Sequence, residues 1–324
     1  MTVAVLGLGL VGGSIAQALH PTRPVVGYDV APDVRAQAAA WGLRVVDDVE
    51  TAVRGADLVV LAGPVPVNDD LLAQLPAGCL ATDVGGVKVP VVDRWAVLAD
   101  PPALVPGHPM AGSETAGWAA ARPDLFADAR WVLCPGPWST AEQWLQVCEV
   151  VLQLGAVVVP AEPATHDQAV AAISHAPHVV ASALGASAAA GATASLARSL
   201  AAGSFRDLTR ITASPPERTA EFLFANREAT AAALRDVADR LTEAVRVLEH
   251  GTSTDLVALL AAGHDARLAY DTARTHLDAR RLEISMDDPA WATPLWELAD
   301  AGGVVTAVVR GDDGCARLDV RQPA

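Results

Sequence analysis

The feature that most constrains the fold is a run of glycines set between a strand and a helix. The apolar stretch Val3–Leu6 breaks into Gly7-Leu8-Gly9-Leu10-Val11-Gly12 and passes directly into a helix-forming segment. Asp29 then closes the next apolar stretch, seventeen residues after Gly12. Glycines in this pattern permit a tight turn and a close approach of backbone to a pyrophosphate, whose charge meets the helix N-terminus. Gly7, Gly9, Leu10, Val11 and Gly12 are therefore candidate cofactor contacts. An acidic residue at the end of the second strand hydrogen-bonds a ribose 2′-hydroxyl and repels a 2′-phosphate, so Asp29 selects NAD over NADP; the next arginine is Arg35.

Val- and Leu-rich runs recur to about residue 160 and alternate with Ala-rich stretches of helical length, such as Ser14 to His20 and Asp33 to Trp41. That alternation predicts a doubly wound α/β fold with a parallel sheet covered on both faces. Beyond Pro160–Pro163 the texture turns helical. Thr165 with Gln168 reads as a capping box, Pro177 predicts a kink, and a third long helix is expected from about Thr254 to Arg280. Leu234, Val237, Leu241, Val245 and Leu248 recur at helical steps and read as a core-facing stripe. RLEISM, PAWATPLWELADAGG and VVTAVVRGDDGCARLDVRQ then suggest a small β-α-β-β unit with a hairpin turn at Gly311 to Gly314. The expected organisation is a nucleotide-binding domain over 1–162, a helical domain over 163–280 and a truncated accessory α+β module over 281–324.

Composition narrows the partners. A net charge of −15 argues against nucleic acid or an anionic membrane. Four cysteines in no CxxC or His-interleaved spacing indicate neither zinc nor a disulfide framework, which suits the cytoplasm. The N-terminal run lacks a basic flank and is interrupted by glycine, unlike a signal peptide. Gln168 to Ala197 carries no charged residue and is long enough to span a bilayer, but His175, Pro177 and His178 and its Ala/Gly/Ser content favour a buried helix.

Further candidates lie where strands end. Pro64 follows the fourth strand, and Gly85 and Gly86 follow the next, where they could admit a nicotinamide ring. His108, in GHPMAGSE, can act as a base beside a nicotinamide, because the unperturbed pKa of an imidazole lies close to neutral, and Ser113 is close by in sequence. Ser174, His175 and His178 lie on the helix containing Pro177, the two imidazoles at i, i+3. A metal site is not expected there, since the HExxH spacing is absent. Arg206 and Arg210, four residues apart around Asp207, offer guanidinium forks for a carboxylate.

Taken in order, GLGLVGGS with Asp29, DVGGVK, GHPMAGSETAG, HDQAVAAISHAPH and GSFRDLTRI with Asn226 resemble the prephenate/arogenate dehydrogenase family of tyrosine biosynthesis. The resemblance implies a Rossmann-type domain followed by an all-α domain that forms a homodimer. It also implies NAD-dependent oxidative decarboxylation of prephenate to 4-hydroxyphenylpyruvate, with His108 taking the proton of the ring hydroxyl. Arg210 would hold a substrate carboxylate, with Ser113, Ser174 and His178 as polar neighbours. Arogenate is the alternative substrate, and a non-catalytic NAD sensor the alternative from another class. One position departs from the family: Gly86 stands where a serine is common.

Overall fold

The computed structural model describes residues 1–112, 115–275 and 277–323. Two compact units are present: residues 1–164 together with 276–324, and Thr165–Thr275. The second is thus an insertion within the first.

The first unit opens with a parallel sheet of β1 (Val3–Leu6), β2 (Val25–Tyr28), β3 (Arg44–Val45), β4 (Leu58–Leu61), β5 (Leu80–Asp83) and β6 (Ala103–Val105), in the order β3-β2-β1-β4-β5-β6. The central strands are apolar on both faces. Val3, Val5, Leu58 and Val60 join one buried cluster, while Ala4, Leu6, Val59 and Leu61 join another. Both faces are covered, as a doubly wound sheet requires. The order reverses at β1, whose neighbours are β2 and β4, and this opens a crevice at the carboxyl ends of β1 and β4.

Pro106 alone separates β6 from a second sheet. It contains β7 (Gly107–Pro109), β8 (Arg130–Leu133), β9 (Val157–Pro160), β10 (Leu277–Ser285), β11 (Val304–Arg310) and β12 (Cys315–Pro323), in the order β10-β12-β11-β9-β8-β7. The expected C-terminal β-α-β-β unit is present as β10, the helix Thr293–Asp300, β11 and β12, and it joins this sheet. The C-terminal segment begins a strand at Leu277, and β11 pairs with β9 through Val305 and Val158. Ile284, Leu295, Leu298, Val305 and Leu318 enter the same buried cluster as β1, so the segment completes the core of the first unit. Arg310 of β11 reaches Glu149 on the helix Ala141–Gln153 at 2.6 Å. The third long helix accordingly spans Ser253–Thr275, and Arg280 lies in β10. The hairpin turn between β11 and β12 falls where the glycines place it.

In the second unit, Pro163 opens the helix ahead of Thr165, because its fixed φ suits a first turn; the expected Thr165–Gln168 capping box is therefore not the helix start. The helix does not break at Pro177. A wide turn over Ala171–His175 precedes the proline, with the Ala176 N–H donating to Ala171 O, five residues back, before the helix continues over Ala176–Ala188. By length and hydropathy Pro163–Ala188 could cross a membrane, yet Asp167, His166 and His175 are buried along it in protein contacts.

The stripe on the helix Arg227–His250 is also corrected. Leu241, Val245 and Leu248 are 59%, 54% and 69% exposed, and Val247 is the apolar residue of this helix that is buried. Val257, Leu260 and Leu268 of the next helix are exposed too. A unit with so much apolar surface in the open is built to be covered. Replacing Leu241 and Val245 together by Asp is expected to convert a dimer of the 33.4 kDa chain to monomer. Light scattering after size exclusion checks this; unsubstituted protein already monomeric at micromolar concentration contradicts it.

Candidate active site

The first unit gathers most sequence candidates at the carboxyl ends of β1, β4 and β5 and on β7. Gly7 follows β1 with φ +102°, in the left-handed region, and a Cβ there would lie 2.7 Å from Ala62 O after β4. A Cβ on Gly12 would overlap Gly7 O. Gly9 sits at the N-cap of the helix Leu10–Leu19 with no side chain to cap it, so the first N–H groups, those of Leu10, Val11 and Gly12, face outward from the turn. This cradle has the shape that a pyrophosphate needs. Asp29 fixes it: one carboxylate oxygen accepts from Leu8 N–H at 2.7 Å, and the other from Ala31 N–H at 2.9 Å. Arg35 is engaged with Asp29 O at 2.7 Å and with Asp47 at 3.2 Å.

Pro64 stands exposed at the start of the helix after β4. The turn before it is tied by Asn68, a buried residue that no local sequence pattern marks. Its Oδ1 accepts from Gly63 N–H at 2.9 Å and its Nδ2 donates to Leu61 O at 3.2 Å.

His108 lies in the middle of β7, half-buried, paired with Val132 of β8. The turn after β5 faces it: a Cβ on Gly86 would sit 3.8 Å from His108 Nε2. Behind both lie two residues quoted in the sequence motif but given no role there, Asp83 and Lys88, each fully buried and ion-paired. Asp83 accepts from Gly85 N–H at 2.8 Å and from Gly107 N–H at 3.1 Å, and Lys88 donates to Gly107 O at 2.6 Å. Ser113 lies outside the described residues.

In the second unit, His178 Nδ1 donates to Ser174 O at 2.8 Å. Ser174 and His178 are half-buried. His175 has a different role. It is buried, with Nδ1 3.1 Å from Asn226 Nδ2 and 3.3 Å from Thr230 Oγ1, and burial pushes its pKa down to about 4. Asn226 also donates to Asp167 O at 2.7 Å, and Asp167 meets His166 at 2.7 Å. Among the described residues no group of His, Cys, Asp and Glu could hold a metal. Arg206 is exposed and lies 3.7 Å from Asp207, as surface arginines do. Arg210 begins a short 3₁₀ turn, Arg210–Ala213, one helical turn farther on.

Residues 13–160 match the model of the prephenate dehydrogenase nucleotide-binding domain, and 162–262 that of the prephenate dehydrogenase dimerisation domain. The chain belongs to the prephenate dehydrogenase family. It is 32% identical to the prephenate dehydrogenase of Bacillus subtilis over 95% of this chain and 83% of that one. A structure from Corynebacterium glutamicum, described as a candidate prephenate dehydrogenase, superposes with TM-score 0.82 at 30% identity, covering 93% of this chain and 97% of that one. The Aquifex aeolicus prephenate dehydrogenase, solved with hydroxyphenyl propionate and NAD+, gives 0.76 at 26% identity over 84% and 98%. Like other family members, the chain is an oxidoreductase with a Rossmann-type nucleotide-binding domain and a helical dimerisation domain.

Two predictions follow from this geometry. Gly12→Val places a side chain where Gly7 O already lies, so dinucleotide affinity is expected to fall by roughly 100-fold with secondary structure retained, as titration calorimetry with NAD would read. The second concerns acid. His175 binds its proton less readily in the fold, near pH 4, than its ordinary value of 6.5. Between these values the unfolded chain holds the extra proton, so stability rises with pH across that window; about 3 kcal/mol present above 6.5 is lost by pH 4. Urea unfolding of the enzyme and of His175→Gln at pH 7.5, 5.5 and 4.5 should show the steeper loss in the unsubstituted protein; parallel losses contradict it.

Proposed function

We propose that this family member catalyses the NAD-dependent oxidative decarboxylation of prephenate to 4-hydroxyphenylpyruvate and carbon dioxide. The observation that carries the reading is His108, half-buried on β7 and facing the Gly86 turn at the carboxyl edge of the nucleotide-binding sheet. The glycine cradle after β1 and the Asp29 carboxylate favour NAD as the dinucleotide. Bound there, NAD supplies the acceptor for the hydride leaving the ring carbon that bears the hydroxyl.

His108 accepts the hydroxyl proton as that C–H bond breaks. The ring carboxylate then departs as carbon dioxide, its bonding pair completes the aromatic ring, and the proton returns to the same oxygen. The sum is prephenate plus NAD+ giving 4-hydroxyphenylpyruvate, carbon dioxide and NADH. Arg210 holds a substrate carboxylate, with Ser113, Ser174 and His178 as polar neighbours, and Arg206 is the second candidate for that role. A dianionic substrate needs such fixed cations in a chain of charge −15. The enzyme works as a homodimer in the cytoplasm, where its four cysteines stay unbridged; neither nucleic acid nor a membrane takes part.

Absorbance at 340 nm tests this with NAD or NADP and with prephenate or arogenate in turn. Fast NADH formation with prephenate is expected, and His108→Asn should lower turnover by roughly 100-fold or more with NAD binding kept. Preference for arogenate moves the substrate and keeps the chemistry. No reduction in any combination, with NAD still bound, leaves a nucleotide-binding protein without this reaction.

A further inference from the structure

Asp83 and Lys88 stand out before any role is considered. The chain carries 22 arginines and a single lysine, and that lysine is fully buried. The surface ion pairs made by Arg54, Arg122, Arg240 and Arg246 all use the guanidinium group. Lys88 is instead a compact point charge in a closed slot, where a planar guanidinium fork has a different shape and reach.

The partners of this pair explain the slot. Asp83 ends β5 and holds Gly85 N–H in the turn that faces His108, and it also holds Gly107 N–H. Lys88 holds Gly107 O. Gly107 immediately precedes His108, so both backbone groups of the residue that delivers the imidazole are bound to the two halves of one ion pair. Gly107 itself has no room for a side chain, since a Cβ would lie 2.8 Å from Asp83 O. The pair thus joins the two segments whose separation sets how Gly86 faces His108 Nε2. Stability alone is a weak reason to keep such a pair, because apolar residues of similar volume often stabilise as well or better.

We propose that Asp83 and Lys88 are positioning residues: together they fix His108 against the Gly85–Gly86 turn without touching substrate. This rests on His108 being the proton acceptor. Breaking one partner leaves a buried charge and threatens the fold, so the informative protein is the full-length double variant Asp83→Asn/Lys88→Met, in which both charges are removed. Two readouts are taken on folded protein: steady-state kinetics with NAD and prephenate, and the imidazole NMR resonances of the eight histidines, that of His108 being assigned through His108→Asn.

The expected result is a kcat lowered at least tenfold, KM for both reactants within threefold, and a displaced His108 resonance with the other histidines in place. A kcat within twofold of the unsubstituted enzyme overturns the proposal, as does an unmoved His108 resonance. Should the unsubstituted protein oxidise neither prephenate nor arogenate, the catalytic reading fails, and the resonance still judges the pair. If the double variant does not fold, reductive methylation of the unsubstituted protein decides. Lys88 in its closed slot should resist modification under conditions that label the N-terminal amine, and equal labelling of the two overturns the proposal.

Discussion

The site depends on a distance too short for a side chain. Gly12 lies against the carbonyl of Gly7, and Gly7 against the carbonyl of Ala62, so the turns after β1 and β4 pack backbone on backbone. That contact brings the helix Leu10–Leu19 up to the sheet edge with its N–H groups uncovered. Asp29 then stitches the turn to the end of β2, and Asn68 stitches the turn after β4 to its own strand. Each strand end is held by a carboxylate or amide that bonds main chain, which gives loop residues the precision of sheet residues.

What the sequence made legible was backbone demand. Glycines that have no space for a Cβ, apolar strands buried on two faces, and a hairpin between β11 and β12 leave direct traces in residue type. What it concealed were pairings between distant positions. Lys88 reads as an ordinary surface lysine in any composition, although being alone among 22 arginines was a signal that could have singled it out. Arg206 lies 3.7 Å from its neighbour Asp207, a contact that the motif by itself does not report. His175 and His178 are alike by spacing. Asn226 and Thr230, some fifty residues downstream, are what make His175 a neutral core group, and no local pattern reports them.

The apolar stripe on the helix Arg227–His250 faces outward at Leu241, Val245 and Leu248. Periodicity records which face of a helix avoids water, without saying whether the cover comes from the same chain. Few apolar side chains of the second unit are buried, and several of its best-enclosed residues are polar: His166, Asp167, His175, Asn226 and Thr230. The wide turn at Ala171–His175 carries His175 into this network just before Pro177 interrupts the donor series. A small unit organised this way gets specificity from hydrogen bonds at its centre and relies on association for much of its apolar burial.

The order of strands in the second sheet also sets an order of assembly. All six strands of the first sheet are present once residue 105 has been made, while one of the two buried clusters on its faces is completed by Ile284, Leu295 and Leu318 at the end of the chain. Half of the second sheet has to wait. β12 lies between β10 and β11, and β11 is the neighbour of β9, so the strand carrying His108 joins a sheet that closes only after the whole helical insertion has emerged. The second sheet therefore grows in two stages, β7 to β9 before the helical insertion is made and β10 to β12 after it.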